Sequence, residues 1–317
     1  MHSLTKNQQS PDAIRAMTEK IFGSGAYAAH KELTEGYFNV AYEVTLTNGT
    51  QTILKVAPAP GVRVMTYEIN IMRSEVQAMR MVQAAGDIPA PCVLGYDDSC
   101  TLCASPYFFM DKLPGRSLNS IRETLTGEQI RAIHEESGRI NRRINEIACP
   151  CFGYPGQEAF QGSDWYEVFQ KMLTGGVEDA YRAGVDLKID VQELFRRLER
   201  DKAYFDEVTQ PRLVHWDCWD GNLFVENGRI TGFIDWERAI WGDPLLEVGF
   251  RTYADDRDFL RGYGLETLSL SQHRRALWYD VYLLLLVSLE CEYRQYETLD
   301  MYNWSVNLLQ KQFAHLG

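Results

Sequence analysis

The sequence lacks any apolar run long enough to cross a membrane, and its first ten residues are polar, without the apolar core of a secretory signal. The longest apolar run, residues 281–287, is far shorter than the ~20 residues of a membrane span. Basic residues are also in deficit, because 32 Lys and Arg face 44 Asp and Glu and give a net charge of −12. This balance disfavours nucleic-acid and anionic-membrane partners, and we expect a cytoplasmic protein.

The sequence also lacks a cysteine framework. Its seven cysteines are an odd number and are spread irregularly, which is typical of reduced thiols and not of a small disulfide-stapled fold. Cys100 and Cys103 form a lone CxxC with no second pair and no nearby histidine, so a turn with two half-buried thiols is favoured over a zinc or redox site. A phosphate-binding Walker A sequence, internal repeats and low-complexity segments are absent as well.

What remains is an ordinary globular composition, with 45% hydrophobic and 24% charged residues in a chain long enough for two domains of ~150 residues. Asn48-Gly49 between two alternating runs predicts a β-hairpin, and Leu113-Pro-Gly predicts a domain boundary. We predict an α+β fold with two lobes: a small antiparallel sheet with one main helix in residues 1–113, and a larger, mainly helical lobe in residues 114–317. Helical periodicity covers residues 11–22, 67–84, 127–147, 164–183, 190–208, 271–296 and 301–314, and a strand-rich patch covers 213–234.

The chemistry concentrates in residues 215–222, His-Trp-Asp-Cys-Trp-Asp-Gly-Asn, and in the strand that ends at Asp235. Phosphoryl transfer requires an aspartate that orients the attacking hydroxyl and two oxygen ligands for a metal ion at the phosphates. Asp217 suits the first role, and Asn222 and Asp235 suit the second. Turns are also rich in Asp, Gly and Asn, but a turn requires neither the histidine nor the five-residue step from Asp217 to Asn222. We therefore favour the catalytic interpretation.

The first lobe is expected to bind the nucleotide. Lys55 lies inside an apolar strand, where an unpaired ammonium is costly, so a glutamate on the following helix is its expected partner. Glu68 and Glu75 are the candidates, and Glu75 is preferred because it lies in the middle of that helix. An exposed sheet face for Lys55 is the alternative.

Two further segments of the first lobe are candidate nucleotide contacts. The turn that contains Gly36 and Asn39 is placed between strands, where backbone N–H groups bind phosphates. The segment with Met110, Asp111 and Leu113 precedes the predicted boundary and is the expected hinge at which adenine would bond main-chain groups.

Taken together, Lys55, Glu75, the 215–222 loop, Asp235 and Gly242-Asp243-Pro244 resemble the aminoglycoside phosphotransferase family, relatives of choline kinases with a protein-kinase-like fold. The resemblance covers essentially the whole chain. It implies ATP or GTP as phosphate donor, Mg²⁺ as cofactor and a small-molecule hydroxyl as acceptor. It also implies Asp217 as the catalytic residue, Asn222 and Asp235 as metal ligands and Lys55 as the phosphate lysine.

The sequence departs from that family at two positions. Trp216 stands where the family commonly has glycine, and Glu247 stands where an aspartate usually follows Gly-Asp-Pro. Neither departure removes a group that the chemistry requires. Both bear on which acceptor is used.

The acceptor is expected between the 215–222 loop and the helices of the large lobe. Its candidate contacts are aromatic or charged: Trp219, Asp220, Glu237, Arg238 and Glu290. Acids and aromatic rings suit an amine-bearing molecule, such as an aminoglycoside-like compound or a metabolic alcohol, although core packing is the alternative for each aromatic. A non-catalytic nucleotide-binding protein on the same scaffold is the alternative function, and the intact set of reactive side chains argues against it.

Overall fold

The computed structural model describes residues 5–34 and 38–317. Contacts divide the chain into two compact units, one made of Met1–Arg63 and Ala90–Pro114 and the other of Val64–Pro89 and Gly115–Gly317. The second unit resumes within two residues of the predicted boundary at 113. Residues 64–89, which the sequence pattern assigns to the first lobe, cluster with the second unit. The assignment of nucleotide binding to residues 1–113 stays a prediction.

The first unit is an antiparallel sheet covered by one helix. The strand order is β1-β2-β3-β5-β4, with antiparallel pairing between each pair of neighbours. The hairpin predicted at Asn48-Gly49 is present, and Gly49 adopts the positive φ of 86° that its turn requires. The elements of this unit are α1 (Pro11–Phe22), β1 (Tyr27–Leu33), β2 (Val40–Leu46), β3 (Gln51–Val56), β4 (Val93–Asp97) and β5 (Tyr107–Asp111).

Helix α1 begins where its sequence predicts. Ser10 caps it by accepting a hydrogen bond from the Ala13 N–H at 3.2 Å, and Pro11 occupies the first helical position. Its apolar stripe, Ile14 and Met17, packs with the inward-facing side chains of β2, which alternate with partly exposed ones. The alternation along β2, of period two, thus matches the apolar stripe of α1, of period 3.6, and together they form a core face.

The second unit contains the long helices and two small sheets, β6-β8-β9 and β7-β10. Its helices are α2 (Ile71–Ala85), α3 (Leu118–Ile121), α4 (Gly127–Ile144), α5 (Trp165–Ala183), α6 (Val191–Arg200), α7 (Lys202–Phe205), α8 (Arg257–Tyr263), α9 (Leu270–Arg294) and α10 (Asp300–His315). Its strands are β6 (Arg116–Ser117), β7 (Arg212–Val214), β8 (Leu223–Glu226), β9 (Arg229–Phe233) and β10 (Ile240–Gly242).

Helix α9 forms the centre of the second unit. Most of its side chains are buried on every face, and Tyr279 packs against an aromatic cluster that includes Trp165, Phe169 and Phe205. Trp165 donates to the Tyr279 hydroxyl at 2.7 Å, so this tryptophan belongs to the core. Within the described residues, no helix is long and apolar enough to cross a membrane.

Helix α8, which the periodicity does not predict, packs on α4 with almost no side chain between the two backbones. A Cβ at Gly138 of α4 would lie 2.1 Å from the Phe259 carbonyl oxygen, and one at Gly262 of α8 would lie 1.9 Å from the Glu135 carbonyl oxygen. Each helix therefore presents a glycine to the other. This reciprocal contact fixes the distance between α4 and α8.

The α+β prediction is confirmed, and the long predicted helices are present with ends shifted by a few residues. The helix predicted over 190–208 is divided at Asp201 into α6 and α7. The Asp201 carboxylate accepts hydrogen bonds from Arg274 at 2.6 Å and from the Trp278 indole at 3.0 Å. These tertiary contacts override the local helical preference of the segment.

Candidate functional site

The 215–222 loop connects β7 to the β8–β9 hairpin and folds back on itself. The Asn222 side-chain amide donates to both the main-chain oxygen and Oδ2 of Asp217, each at 2.9 Å. Since the amide nitrogen is used in this way, Asn222 Oδ1 is the side-chain atom left to ligate a cation. The loop thus joins the predicted base and a predicted metal ligand directly.

His215 connects this loop to the segment that carries Asp235, just after β9. Its Nδ1 accepts from the Asp217 N–H at 3.2 Å, so the proton resides on Nε2, which lies 2.9 Å from the Ile234 oxygen. The Ile234 N–H in turn donates to the main-chain oxygen of Asn222 at 3.0 Å. Asp235 follows in the left-handed region, with φ of 65°. The predicted metal ligands Asn222 and Asp235 are therefore held by one hydrogen-bonded hairpin.

Glu247 anchors the loop from the interior. Its carboxylate is fully buried and accepts from the Trp216 N–H at 2.9 Å, the Cys218 N–H at 3.1 Å and its neighbour Val248 at 2.9 Å. Asn141 of α4 adds a fourth hydrogen bond at 3.1 Å. The glutamate found in place of the family's aspartate thus accepts backbone hydrogen bonds from both sides of Asp217.

Trp216 has a backbone conformation that explains the usual glycine at its position. Its φ is 65°, in the left-handed region that side chains rarely adopt. The indole is buried and stacks on Tyr282, with ring centroids 5.6 Å apart and an angle of 13° between the planes, and it meets the Tyr67 ring edge-on. Aromatic packing therefore offsets the strained backbone in this chain.

Negative charge accumulates around Asp217. Burial raises the pKa of its carboxyl to about 7, Arg238 opposes the rise, and the carboxylates of Asp235, Glu247 and Glu290 reinforce it. A group of carboxylates that mutually disfavour ionisation suits a divalent cation, because carboxylate and amide oxygens are the ligands that Mg²⁺ prefers. Asn222 and Asp235 have the chemistry to hold such an ion.

A second group of possible ligands lies just behind the loop but does not suit a metal. His215, Cys218 and Glu247 place one ligand atom each within 4.8 Å of one another. The Glu247 oxygens and His215 Nδ1 already accept backbone hydrogen bonds, and burial raises the pKa of the Cys218 thiol well above its ordinary value. These three side chains hold the loop in place.

The predicted acceptor contacts fall into two groups. Trp219 is 47% exposed, and its indole lies over Gly221, where a Cβ would be 2.2 Å from the ring. Arg238 and Glu290 instead bond to each other at 2.8 Å, and Arg238 Nη1 lies 4.0 Å from Asp217 Oδ1. Glu237 is partly exposed beside Arg238.

Asp220 belongs to the group whose carboxylates are already engaged. It contacts Arg122 and, at 2.9 Å, His134. Sequence reasoning missed both partners, as well as Asn141. His134 and Asn141 are seven residues apart on α4, which places them on one helix face two turns apart, and this spacing of two polar residues was the available signal.

The predicted nucleotide-binding residues lie on the elements expected for them, except where the structure gives no description. Lys55 is a buried residue of β3, and Glu75 is fully buried on α2. Asn39 is buried just before β2, Met110 and Asp111 end β5, and Leu113 follows them. Gly36 lies outside the described residues. The nucleotide contacts of these side chains stay predictions.

Residues 30–277 match APH, the phosphotransferase enzyme family. The chain belongs to this family. Among curated proteins, a 36-residue stretch is 50% identical to the hygromycin-B 4-O-kinase of Escherichia coli and covers 11% of each chain. A subtelomeric hrmA-associated cluster protein of Aspergillus fumigatus is 27% identical over 123 residues, which is 38% of this chain and 23% of that protein's length.

Solved structures of this phosphotransferase family have the same fold. A thermostable mutant of aminoglycoside phosphotransferase APH(4)-Ia, in ternary complex with ADP and hygromycin B, superposes with a TM-score of 0.66 at 18% identity, covering 96% of this chain and 99% of that one. The gentamicin complex of APH(2")-IIa gives a TM-score of 0.65 at 15% identity, covering 98% of both chains. The predicted kinase-like fold, with an antiparallel-sheet lobe and a helical lobe, is confirmed.

Proposed function

We propose that this chain transfers the γ-phosphate of ATP or GTP to a hydroxyl group of a small, amine-bearing molecule and requires Mg²⁺. The observation that carries the proposal is the pair of hydrogen bonds, each 2.9 Å, by which Asn222 holds Asp217. Membership of the phosphotransferase family supports the reaction class. The nucleotide, the metal and the acceptor are the parts that we propose.

Asp217 is the proposed catalytic residue. Its carboxylate accepts the proton of the attacking hydroxyl or orients that hydroxyl towards the phosphate. The backbone hydrogen bonds on both sides of it, from Trp216 and Cys218 to Glu247, fix its direction. Transfer then proceeds in line and without a phosphorylated enzyme, since no other nucleophile is needed.

Asn222 Oδ1 and the Asp235 carboxylate are the proposed Mg²⁺ ligands. Held by these two residues, a divalent cation would supply positive charge to neutralise the transferred phosphate and its leaving group. The residues themselves supply a preset geometry, because the Ile234–Asn222 and His215–Ile234 hydrogen bonds hold the two ligands together. Lys55 and Glu75 keep their predicted roles in nucleotide binding as part of this proposal.

Trp219 is the proposed contact for the acceptor. Its half-exposed indole follows the catalytic aspartate by two residues, and an aromatic face of this kind attracts ammonium groups. Glu237 is a partly exposed acid on the next segment. Among similar proteins, one acts on hygromycin B and another binds gentamicin, both amine-bearing sugars, which supports the same class of acceptor here.

The test is Mg²⁺-dependent nucleotide consumption against a panel of amino-sugars, choline-like alcohols, sugars and hydroxy amino acids. Asp217→Asn is expected to lower turnover by about 10²–10⁴-fold, because proton acceptance is lost, while binding of the magnesium nucleotide persists. Asp255→Asn, an exposed aspartate of the same unit, is the matched control and should retain wild-type turnover. Tight nucleotide binding without turnover of any panel member would favour the non-catalytic alternative.

A further inference from the structure

The tip of the 215–222 loop carries a carboxylate with two cationic partners. Asp220 Oδ1 lies 2.9 Å from His134 Nε2, and its Oδ2 contacts Arg122. Its main-chain oxygen accepts from the Asn119 N–H at 3.0 Å. Both side-chain oxygens are therefore engaged before any acceptor arrives.

His134 is placed between two acids. Its Nε2 faces Asp220, and its Nδ1 lies 3.4 Å from Asp256 Oδ1, a residue that also caps α8 by accepting from the Phe259 N–H. The hydrogen bonds that His134 donates to these two carboxylates raise its pKa to about 9. The charged groups facing the imidazole are Asp220 and Asp256, with Arg122 on the far side of Asp220. Both ring nitrogens therefore carry protons at neutral pH, and both donate.

Two main-chain hydrogen bonds connect the tip of the loop to the segments that carry the reactive side chains. The Trp219 N–H donates to the Asp217 oxygen at 2.9 Å, and the Asn222 N–H donates to the Trp219 oxygen at 2.8 Å. Asp220 lies inside the turn that the second hydrogen bond closes. A shift of its side chain would therefore move the base and the metal ligand together.

We propose that Asp220 is a positioning residue, held by Arg122 and His134, which fixes the tip of the 215–222 loop and does not bind the cationic acceptor. The proposal deepens the function proposed above and rests on it for its kinetic consequences. An acceptor ammonium would have to displace a guanidinium or an imidazolium that is already in place. Neither His134 nor Arg122 belongs to the reactive set, so substitutions there test the positioning without removing a reactive group.

The first test separates positioning from acceptor binding by kinetics. Asp220→Asn and His134→Gln are expected to lower kcat by about tenfold and to leave the acceptor KM within about twofold, because the loop is displaced while the acceptor contacts remain. The double variant should fall no further than Asp220→Asn alone, since the contact removed by His134→Gln is one of the two that Asp220→Asn already weakens. A rise in the acceptor KM for Asp220→Asn alone, with kcat unchanged, would overturn the proposal.

The pH profile gives a readout that a general loss of structure would not produce. Because the folded pKa of His134 is raised from 6.5 to about 9, the contribution of the charged imidazole to holding the loop is complete below pH 6.5 and is lost as the pH rises through about 9, while Arg122 keeps its contact. Wild-type kcat is therefore expected to decline above pH 9, and His134→Gln should lack that decline. An identical alkaline decline in both proteins would contradict the assignment.

The last measurement does not require turnover, so it distinguishes failure of this proposal from failure of the proposed function. NMR titration of His134, assigned by comparison with His134→Gln, is expected to give a pKa near 9 in the wild type and a clearly lower one in Asp220→Asn. The Trp219 indole signal, assigned with Trp219→Phe, should shift in His134→Gln as the loop tip moves. An unchanged His134 pKa in Asp220→Asn would overturn the contact, whether or not an acceptor has been found.

Discussion

The 215–222 loop is held at two places by opposite physical means. At its interior side Glu247 is fully buried and receives only neutral N–H donors. At its outer side Asp220 is 19% exposed and receives charged donors from Arg122 and His134. Dipoles at a buried carboxylate are little affected by salt, whereas partly exposed ion pairs are screened. The interior contact therefore sets the loop geometry, and the outer contact adjusts it with solution conditions.

The largest effect is expected from Glu247→Gln. The amide offers a single acceptor oxygen, so buried N–H donors at Trp216 or Cys218 lose their partner and face an NH₂ group. We expect a loss of about 3 kcal/mol in the free energy of unfolding, measured by chemical denaturation, together with a fall in kcat. Adding 1 M NaCl should change this loss very little.

Glu247→Asp is the control that separates the effect of side-chain charge from that of side-chain length, since it keeps the carboxylate and shortens the side chain. It is expected to cost less than Glu247→Gln. If Glu247→Asp were the less stable of the two variants, the length of the side chain rather than its charge would govern the interior contact.

Substitution of Trp216 is expected to have an intermediate effect on stability, because the loss of its buried ring and the relief of its strained backbone oppose each other. Trp216→Gly removes a buried indole, which costs about 3–5 kcal/mol, and relieves a left-handed backbone, which returns about 1–2 kcal/mol. The expected net loss of unfolding free energy is about 2 kcal/mol. Trp216→Ala loses the same ring but keeps most of the strain, so it should be less stable than Trp216→Gly. If Trp216→Ala were the more stable of the two variants, the backbone at this position would not be strained.

The smallest effect is expected from Arg122→Gln at the outer contact. The Arg122 side chain is 47% exposed, so its removal should lower the free energy of unfolding by only about 0.5 kcal/mol at low salt and by less in 1 M NaCl. Arg257→Gln, which breaks a more exposed pair with Asp255, is the matched control and should have no measurable effect. If the loss of stability in Arg122→Gln were unchanged in 1 M NaCl, the Asp220 contact would be no more sensitive to salt than the Glu247 contact.

Much of this arrangement was predictable because it is local in sequence. The step from Asp217 to Asn222 precedes the β8–β9 hairpin and Asp235 follows it, and a hairpin brings the residues at its two ends together whatever surrounds it. Its turn has positive φ at Asn227 and Gly228, residue types that favour such turns. Helix periods and the cap at Ser10 are local signals of the same kind.

The partners of the loop were not predictable for the opposite reason. His134 and Arg122 reach Asp220 across 86 and 98 residues, and no pattern of period two or 3.6 links such positions. Asp220 and Glu290 were expected to be available for the acceptor because their charge is visible in the sequence, whereas the cations that engage them are not. Helix α8 was missed because its seven residues are too few to establish a period.

Gly138 and Gly262 limit the substitutions that helices α4 and α8 can tolerate. Gly138 lies between His134 and Asn141, the two residues through which α4 reaches the loop, and α8 delivers Asp256 to the first of them. A methyl group at either glycine would push α8 outward and draw Asp256 away from His134. A substitution at either glycine therefore also costs the His134 imidazolium one of its two carboxylate partners.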